Sequence, residues 1–319
     1  MPLDYTILYR SRLELDDLAD GSNTWPVLVS AFNASERVQT VFARANSTAK
    51  HWLIHPEYGY TPEQFPTEGE VFAPTSRNEA DFLSEYLANA AVDPRQNDAC
   101  IDITGFMRPH LMLFVRMMFD AGVDRFHVLY TDPVRYSKEE QTEFSKGPVT
   151  AVRQVAGFEG QHVPHRGTED LLIIGTGYDD ELIRRVAESK SNAHKLQMFG
   201  LPSLSPDMYQ QNVLNASRAA EAVGQSLERE PCFAPANDPF VTAAVLQERV
   251  DRDRASGRLS NLYLCPVGTK PQALGFALYY LTEWQGGPCS MIFPFAEFYE
   301  QETSKGIARI WKYTIERLT

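Results

Sequence analysis

The stretch Leu262 to Phe276, LYLCPVGTKPQALGF, decides the fold. Leu262 to Cys265 reads as a buried strand, Gly268-Thr269-Lys270-Pro271 as a turn, and Gln272 to Phe276 as the start of an apolar helix. A glycine allows close backbone approach. A proline fits the first helical turn, where a missing N–H is no loss. That spacing predicts free N–H groups on Gly268, Thr269 and Lys270 at a positive helix end, with an ammonium beside them. Such a terminus attracts anions. Two readings follow from the same residues: a phosphate or nucleotide cradle, or a strand–turn–helix with a tidy cap.

The chain contains a second version of this stretch. Asp102 to Phe114, DITGFMRPHLMLF, again places an apolar strand before a glycine, a basic residue, a proline and an apolar helix. Gly105 matches Gly268, and Arg108-Pro109 matches Lys270-Pro271 with one extra residue in the turn. Further matches keep the same order. Ser30-Ala31-Phe32-Asn33 falls on Thr176-Gly177-Tyr178-Asp179, and at that offset Pro56 falls on Pro202. Val128 to Asp132 falls on Ser290 to Pro294, and Val149 to Val155 on Ala308 to Thr314. The chain therefore reads as an internal duplication, with a first repeat over 1–165 and a second over 166–319.

Each repeat carries the punctuation of an α/β unit. Trp25 to Phe32 is a buried-strand pattern, Asn33 to Glu36 supplies cap-type residues, and His51 to Ile54 is the next strand, ending at His55-Pro56. Strand–helix–strand at this spacing gives a βαβ unit and a parallel sheet. Leu171 to Gly175, the turn Thr176 to Asp180 and Lys195 to Phe199 repeat the plan. Helices are expected over 79–91, 215–227 and 239–256, a polar helix over 138–144, and an antiparallel strand over 149–155. The fold class is α/β, with two tandem Rossmann-like halves, mostly parallel sheets and pseudo-two-fold symmetry.

Composition narrows the function. The chain has 319 residues, 43% hydrophobic and 23% charged, with a formal net charge of -12, so a sizeable core is available but a duplex-binding surface is not. No apolar run reaches the roughly 18 residues that a spanning helix needs. The N-terminal segment carries charges throughout and has no apolar signal stretch. Cys100, Cys232, Cys265 and Cys289 lack CxxC spacing and read as free buried thiols, which suits a reducing cytoplasm better than a zinc site. The His162 and His165 pair has no Cys or carboxylate at a ligand spacing. Gly175-Thr176-Gly177 is followed by Asp180 where a dinucleotide fingerprint needs its third glycine, which disfavours a nicotinamide dehydrogenase. No cofactor is implied.

Ligands of open α/β sheets sit at the carboxyl ends of the strands. The candidate ligand-binding residues are therefore Ser30, Phe32, Asn33, Gly105, Arg108 and Asp132 in the first repeat. In the second they are Thr176, Tyr178, Asp179, Gly268, Thr269 and Lys270. Phe32 and Tyr178 either stack a base or pack their own turns. Asp179-Asp180 either ligate Mg²⁺ or cap the following helix, the cap being favoured. Asp132 is a catalytic carboxylate or the start of an Asp-Pro turn, the turn being favoured. If the halves face one another, all four turns surround a shared cleft.

The Val267-Gly268-Thr269-Lys270 turn, opening a helix after a strand, resembles the Gly-Gly-Thr-Lys signature of the CRISPR-associated Rossmann-fold (CARF) sensors. The first signature glycine is absent, and Gly105 to Arg108 keeps only a glycine and a base. The tandem plan resembles the SAVED-type sensors. The resemblance implies binding of a cyclic oligonucleotide, cleavage in some members, and a role in bacterial antiviral defence.

Three functions are consistent with the residues. The first is a cytoplasmic nucleotide-binding sensor or regulatory subunit that acts through a protein partner and does no chemistry of its own. The second is an enzyme, a hydrolase, transferase or phosphodiesterase, acting on a nucleotide or other phosphate-bearing small molecule in the same cleft. The third is a structural subunit, with Tyr279, Tyr280, Trp284, Phe295, Phe298, Tyr299 and Trp311 as interface or as core. Duplex nucleic acid and membrane are not expected partners.

Overall fold

The computed structural model describes residues 3–136, 145–164, 169–177, 179–204, 210, 213–214, 231–257, 259–301 and 304–317. The expected helices over 138–144 and 215–227, His165 and Tyr178 lie outside these residues. The fold is mixed α/β, with two sheets of mostly parallel strands and, among the described residues, six α-helices.

In the first repeat, β2 (Thr24–Ala31), α1 (Glu36–Arg44) and β3 (Asn46–Leu53) form the expected βαβ unit. Then come β4 (Glu70–Phe72), α2 (Glu79–Asn89), β5 (Cys100–Asp102), α3 (Arg108–Asp120) and β6 (Arg125–Asp132). The second repeat follows the same order: β9 (Glu169–Gly175), α4 (Asp180–Ser189), β10 (His194–Gly200), β11 (Cys232–Ala234), α5 (Pro239–Ala255), β12 (Leu259–Pro266), α6 (Lys270–Glu283) and β13 (Cys289–Tyr299). β1 (Tyr9–Leu13) precedes the first series. β7 (Arg135–Tyr136) and β14 (Ser304–Lys305) form a separate antiparallel pair.

Each series is followed by one long strand, β8 (Ser145–Gln154) or β15 (Arg309–Glu316). These two strands cross over. β15 joins the first sheet, whose order is β1-β15-β6-β5-β2-β3-β4, and β8 joins the second, whose order is β11-β10-β9-β12-β13-β8. Reversed, the second order is β8-β13-β12-β9-β10-β11, which matches β15-β6-β5-β2-β3-β4 strand for strand. The equivalence of 149–155 with 308–314 is thus real in topology, but each strand completes the other repeat's sheet. Contacts accordingly group Met1–Ile7 with Glu143–Glu297 in one compact unit, and Leu8–Thr142 with Phe298–Thr319 in the other.

Residue type explains the layers. α1 buries Val38, Val41 and Phe42 on one face, and Phe42 stacks on Trp52 with ring centroids 3.6 Å apart. α6 is buried all round from Pro271 to Leu281, as an apolar helix without a polar stripe should be. Each large apolar side chain hidden there contributes about 1.5–3 kcal/mol. Tyr279, Tyr280 and Trp284 are core residues, whereas Phe298 is exposed. All four cysteines are buried and free. No helix among the described residues is long and apolar enough to cross a membrane.

Candidate functional site

In each sheet the chain reverses direction at one place. From β2 the connections run outward through β3, and from β5 they run the other way through β6, so the β2/β5 boundary is a switch point. The β9/β12 boundary is its counterpart. At such a boundary two helices leave in opposite directions and open a crevice beyond the strand ends. The expected turns fall there, in each unit separately.

The first switch point is stitched by side chains. Ser30 Oγ donates to Asp102 Oδ2 at 2.8 Å, Thr104 N–H donates to Asp102 Oδ1 at 3.1 Å, and Thr131 N–H donates to Thr104 Oγ1 at 3.0 Å. Arg37 donates to the Thr131 carbonyl. Gly105 passes so close to β2 that a Cβ there would lie 1.7 Å from the Ala31 carbonyl oxygen. The sequence demands glycine for that backbone approach.

Around this turn the structure gathers Phe32, Asn33 and Arg108. Phe32 is buried and packs edge-on against Trp52 and Tyr60. Asn33 Oδ1 accepts the Ser35 N–H at 3.0 Å. Arg108 opens α3 and is half-buried, with its charge near the Tyr58 phenol. Asp132 is buried at the end of β6, where its Oδ2 accepts from Arg309 Nε and Trp311 Nε1, both at 2.9 Å. It anchors β15.

The same region holds residues that the sequence did not nominate. Tyr58 donates to the Gly105 carbonyl at 3.0 Å, and Tyr60 accepts the Ala34 N–H at 2.8 Å. His55 is fully buried, accepts the Met107 N–H at 3.4 Å, stacks on Phe82, and meets the His110 ring at 4.5 Å. Glu57 and Glu79 are buried too. Burial pushes the Glu57 carboxyl up to about 7; its own backbone N–H and Arg77 pull it down, and Glu79 adds to the rise. Burial likewise raises the Tyr58 phenol, against the pull of Arg108. The signal was present: His55-Pro56-Glu57-Tyr58 follows a parallel strand, where ligand-facing residues concentrate.

The second switch point is built differently. Thr176 sends both its N–H and its hydroxyl to the Met198 carbonyl, at 2.8 and 2.9 Å. A Cβ on Gly177 would lie 2.3 Å from the Val267 carbonyl oxygen. Asp179 caps α4 by accepting the Leu182 N–H at 3.2 Å, which is the capping alternative. Gly268 lies against Thr176 and Gln272: a Cβ there would meet the Gln272 Oε1 at 2.5 Å and the Thr176 carbonyl oxygen at 3.1 Å.

The expected free amides of the Gly268 turn need correction. Thr269 and Gln272 form a capping box: Thr269 N–H donates to Gln272 Oε1 at 3.2 Å, and Gln272 N–H donates to Thr269 Oγ1 at 3.3 Å. The Thr269 hydroxyl also donates to the Ala236 carbonyl. The Thr269 N–H therefore goes to the helix's own cap. Lys270 begins α6 and is half-buried.

No family model matches the chain. No curated protein matches it either. Among solved structures it is similar to a glycosyl transferase family 9 from Veillonella parvula DSM 2008, at 12% identity and a TM-score of 0.23, covering 84% of this chain and 86% of that one. So slight a likeness gives no residue a role. The expected membership of the CARF and SAVED-type sensors is corrected: no family model and no curated protein of that kind matches the chain, and the similar solved structure is described as a glycosyl transferase. The turn that suggested those sensors also spends one of its amides on a capping box. The defence-sensor function is withdrawn with the resemblance that implied it.

Proposed function

We propose that this chain is an enzyme, a hydrolase or transferase, acting on a phosphate-bearing, nucleotide-like small molecule at the β2/β5 switch point. The supporting observation is the concentration of polar and titratable groups there: Ser30 on Asp102, Arg108 at a helix start, and buried His55, Glu57 and Glu79 within the same layer. Perturbed groups gathered in a crevice at strand ends mark a candidate functional site.

In this reading the N-terminus of α3 and Arg108 take the phosphate. Asn33 and Phe32 line the turn, and Ser30 with Asp102 holds it rigid. Glu57, raised towards neutrality, carries a proton. Thr176, Asp179, Gly268, Thr269 and Lys270 form the corresponding turns of the second repeat.

Incubation with mononucleotides, nucleotide sugars and cyclic oligonucleotides, followed by mass analysis of products, tests the proposal. We expect turnover of one class. Arg108→Ala should weaken its binding by about tenfold or more. Glu57→Gln should lower turnover while binding persists. A chain that neither binds nor consumes any of these compounds is not such an enzyme.

A further inference from the structure

A second polar cluster lies at the opposite, amino-terminal edge of the β9–β13 sheet. Ser290, the second residue of β13, is fully buried. Its Oγ accepts from Gln154 Nε2 at 2.8 Å and from the Gly160 N–H at 2.9 Å, and lies 2.6 Å from His162 Nε2. A hydroxyl has two acceptor positions and one proton. With both acceptors filled by N–H groups, the arrangement that satisfies all three contacts sends the Ser290 proton to His162 Nε2. That nitrogen is then bare, and the ring is neutral with its proton on Nδ1.

The ring is held in place as well as bonded. It stacks on Tyr263 with centroids 4.7 Å apart and an interplanar angle of 19°. Next to it, Asn261 accepts the Val163 N–H at 2.8 Å and donates to the Val163 carbonyl at 3.0 Å and to Asp170 Oδ1 at 2.8 Å. Among the described residues, the charged groups facing it are Asp170 of β9 and Lys190 beyond α4, whose Nζ sits 3.9 Å from the Tyr263 ring centre. Glu159 belongs to the same segment. β8, β12 and β13 contribute Gln154, Asn261, Tyr263 and Ser290, none of them charged at neutral pH.

We propose that His162 is a proton-operated latch: neutral, it receives the Ser290 hydroxyl and holds the Gly160 turn on the sheet edge, and protonated, it loosens that turn while Asn261 keeps Val163 in place. An imidazolium Nε2–H would point at a hydroxyl whose acceptor positions are already taken. Burial, first, and Lys190 disfavour the charged ring, while Asn261 and Asp170 favour it, and the net shift is downward. A histidine lowered in the folded state leaves the closed form intact above its ordinary value of about 6.5, and weakens it as pH falls below that.

Amide exchange of the full chain, followed by mass spectrometry with site resolution at about pH 5 and about pH 7.5, reads the latch directly. After correction for the intrinsic exchange rate, protection of the Gly160 amide should fall about fivefold at the lower pH. The α6 amides report on global unfolding and should keep theirs. His162→Gln, uncharged at both values, should abolish the pH dependence. Ser290→Ala should remove the protection already at neutral pH. Equal Gly160 protection of the wild type at both pH values, or the same fall in His162→Gln, would overturn the proposal.

Discussion

The two switch points share a topology and differ in chemistry. At β2/β5 a hydroxyl and a carboxylate bond across neighbouring strands, Ser30 to Asp102. At β9/β12 the equivalent of Ser30 is Thr176, which bonds to the Met198 carbonyl, and the equivalent of Asp102 is Cys265, which has no carboxylate to offer. The first turn is surrounded by buried acids and imidazoles, whereas the second is closed by its own helix cap. Duplication thus supplied the same crevice twice, and side-chain replacement made one polar and self-sealed the other.

The strongest blow to this contrast would come from the glycines. Gly105→Ala and Gly177→Ala each drive a Cβ into a backbone carbonyl, at 1.7 and 2.3 Å. Neither carbonyl can yield as a side chain would, so each should cost about 4 kcal/mol or more. Chemical denaturation should show both variants severely destabilised. If Gly105→Ala is tolerated, the close approach that defines the first crevice is wrong.

Next in size is Glu57. Its carboxyl is raised in the folded state, so its protonated form stabilises the fold at low pH, and that contribution is lost as pH rises from about 4.5 towards 7. Glu57→Gln removes the buried charge. At about pH 8 it should stabilise the chain by on the order of 2 kcal/mol relative to wild type, with a much smaller difference near pH 4. Melting curves across this range would sharpen the contrast. A pH-independent difference would mean that Glu57 is solvated.

The smallest effect belongs to the capping box. Gln272→Ala removes one hydrogen bond and frees the Thr269 N–H, at a cost of about 1 kcal/mol. The same variant opens the turn to anions. Phosphate or nucleotide should stabilise it more than it stabilises the wild type. Identical ligand-induced shifts in the two proteins would show that the cap does not gate that turn.

Much of this architecture was legible because it rests on punctuation. Gly105 and Gly268, each followed by a base and a proline, mark strand–turn–helix corners, and the structure starts α3 and α6 at Arg108 and Lys270. The order of elements betrayed the repeat. The functional detail was less visible. Thr269-x-x-Gln272 is a capping-box pattern, yet the same residues also spell an anion cradle, and sequence alone does not say which partner an N–H will choose. His55, Glu57 and His110 were missed because their significance comes from burial and from rings and carboxyls meeting across α2, β3 and α3. Similarity between 149–155 and 308–314 identified equivalent strands, but a strand's own residues do not name the sheet it will enter.

That last feature bears on how the molecule is made. The antiparallel partner of β6 is Arg309–Glu316, near the far end of the chain. A nascent polypeptide that has emerged as far as Asp132 still presents β6 with an open hydrogen-bonding rim, and must protect it until Arg309–Glu316 has been synthesised. Splitting the gene at the repeat boundary would deliver two fragments, each carrying the strand that the other lacks, and only their co-expression could restore either sheet.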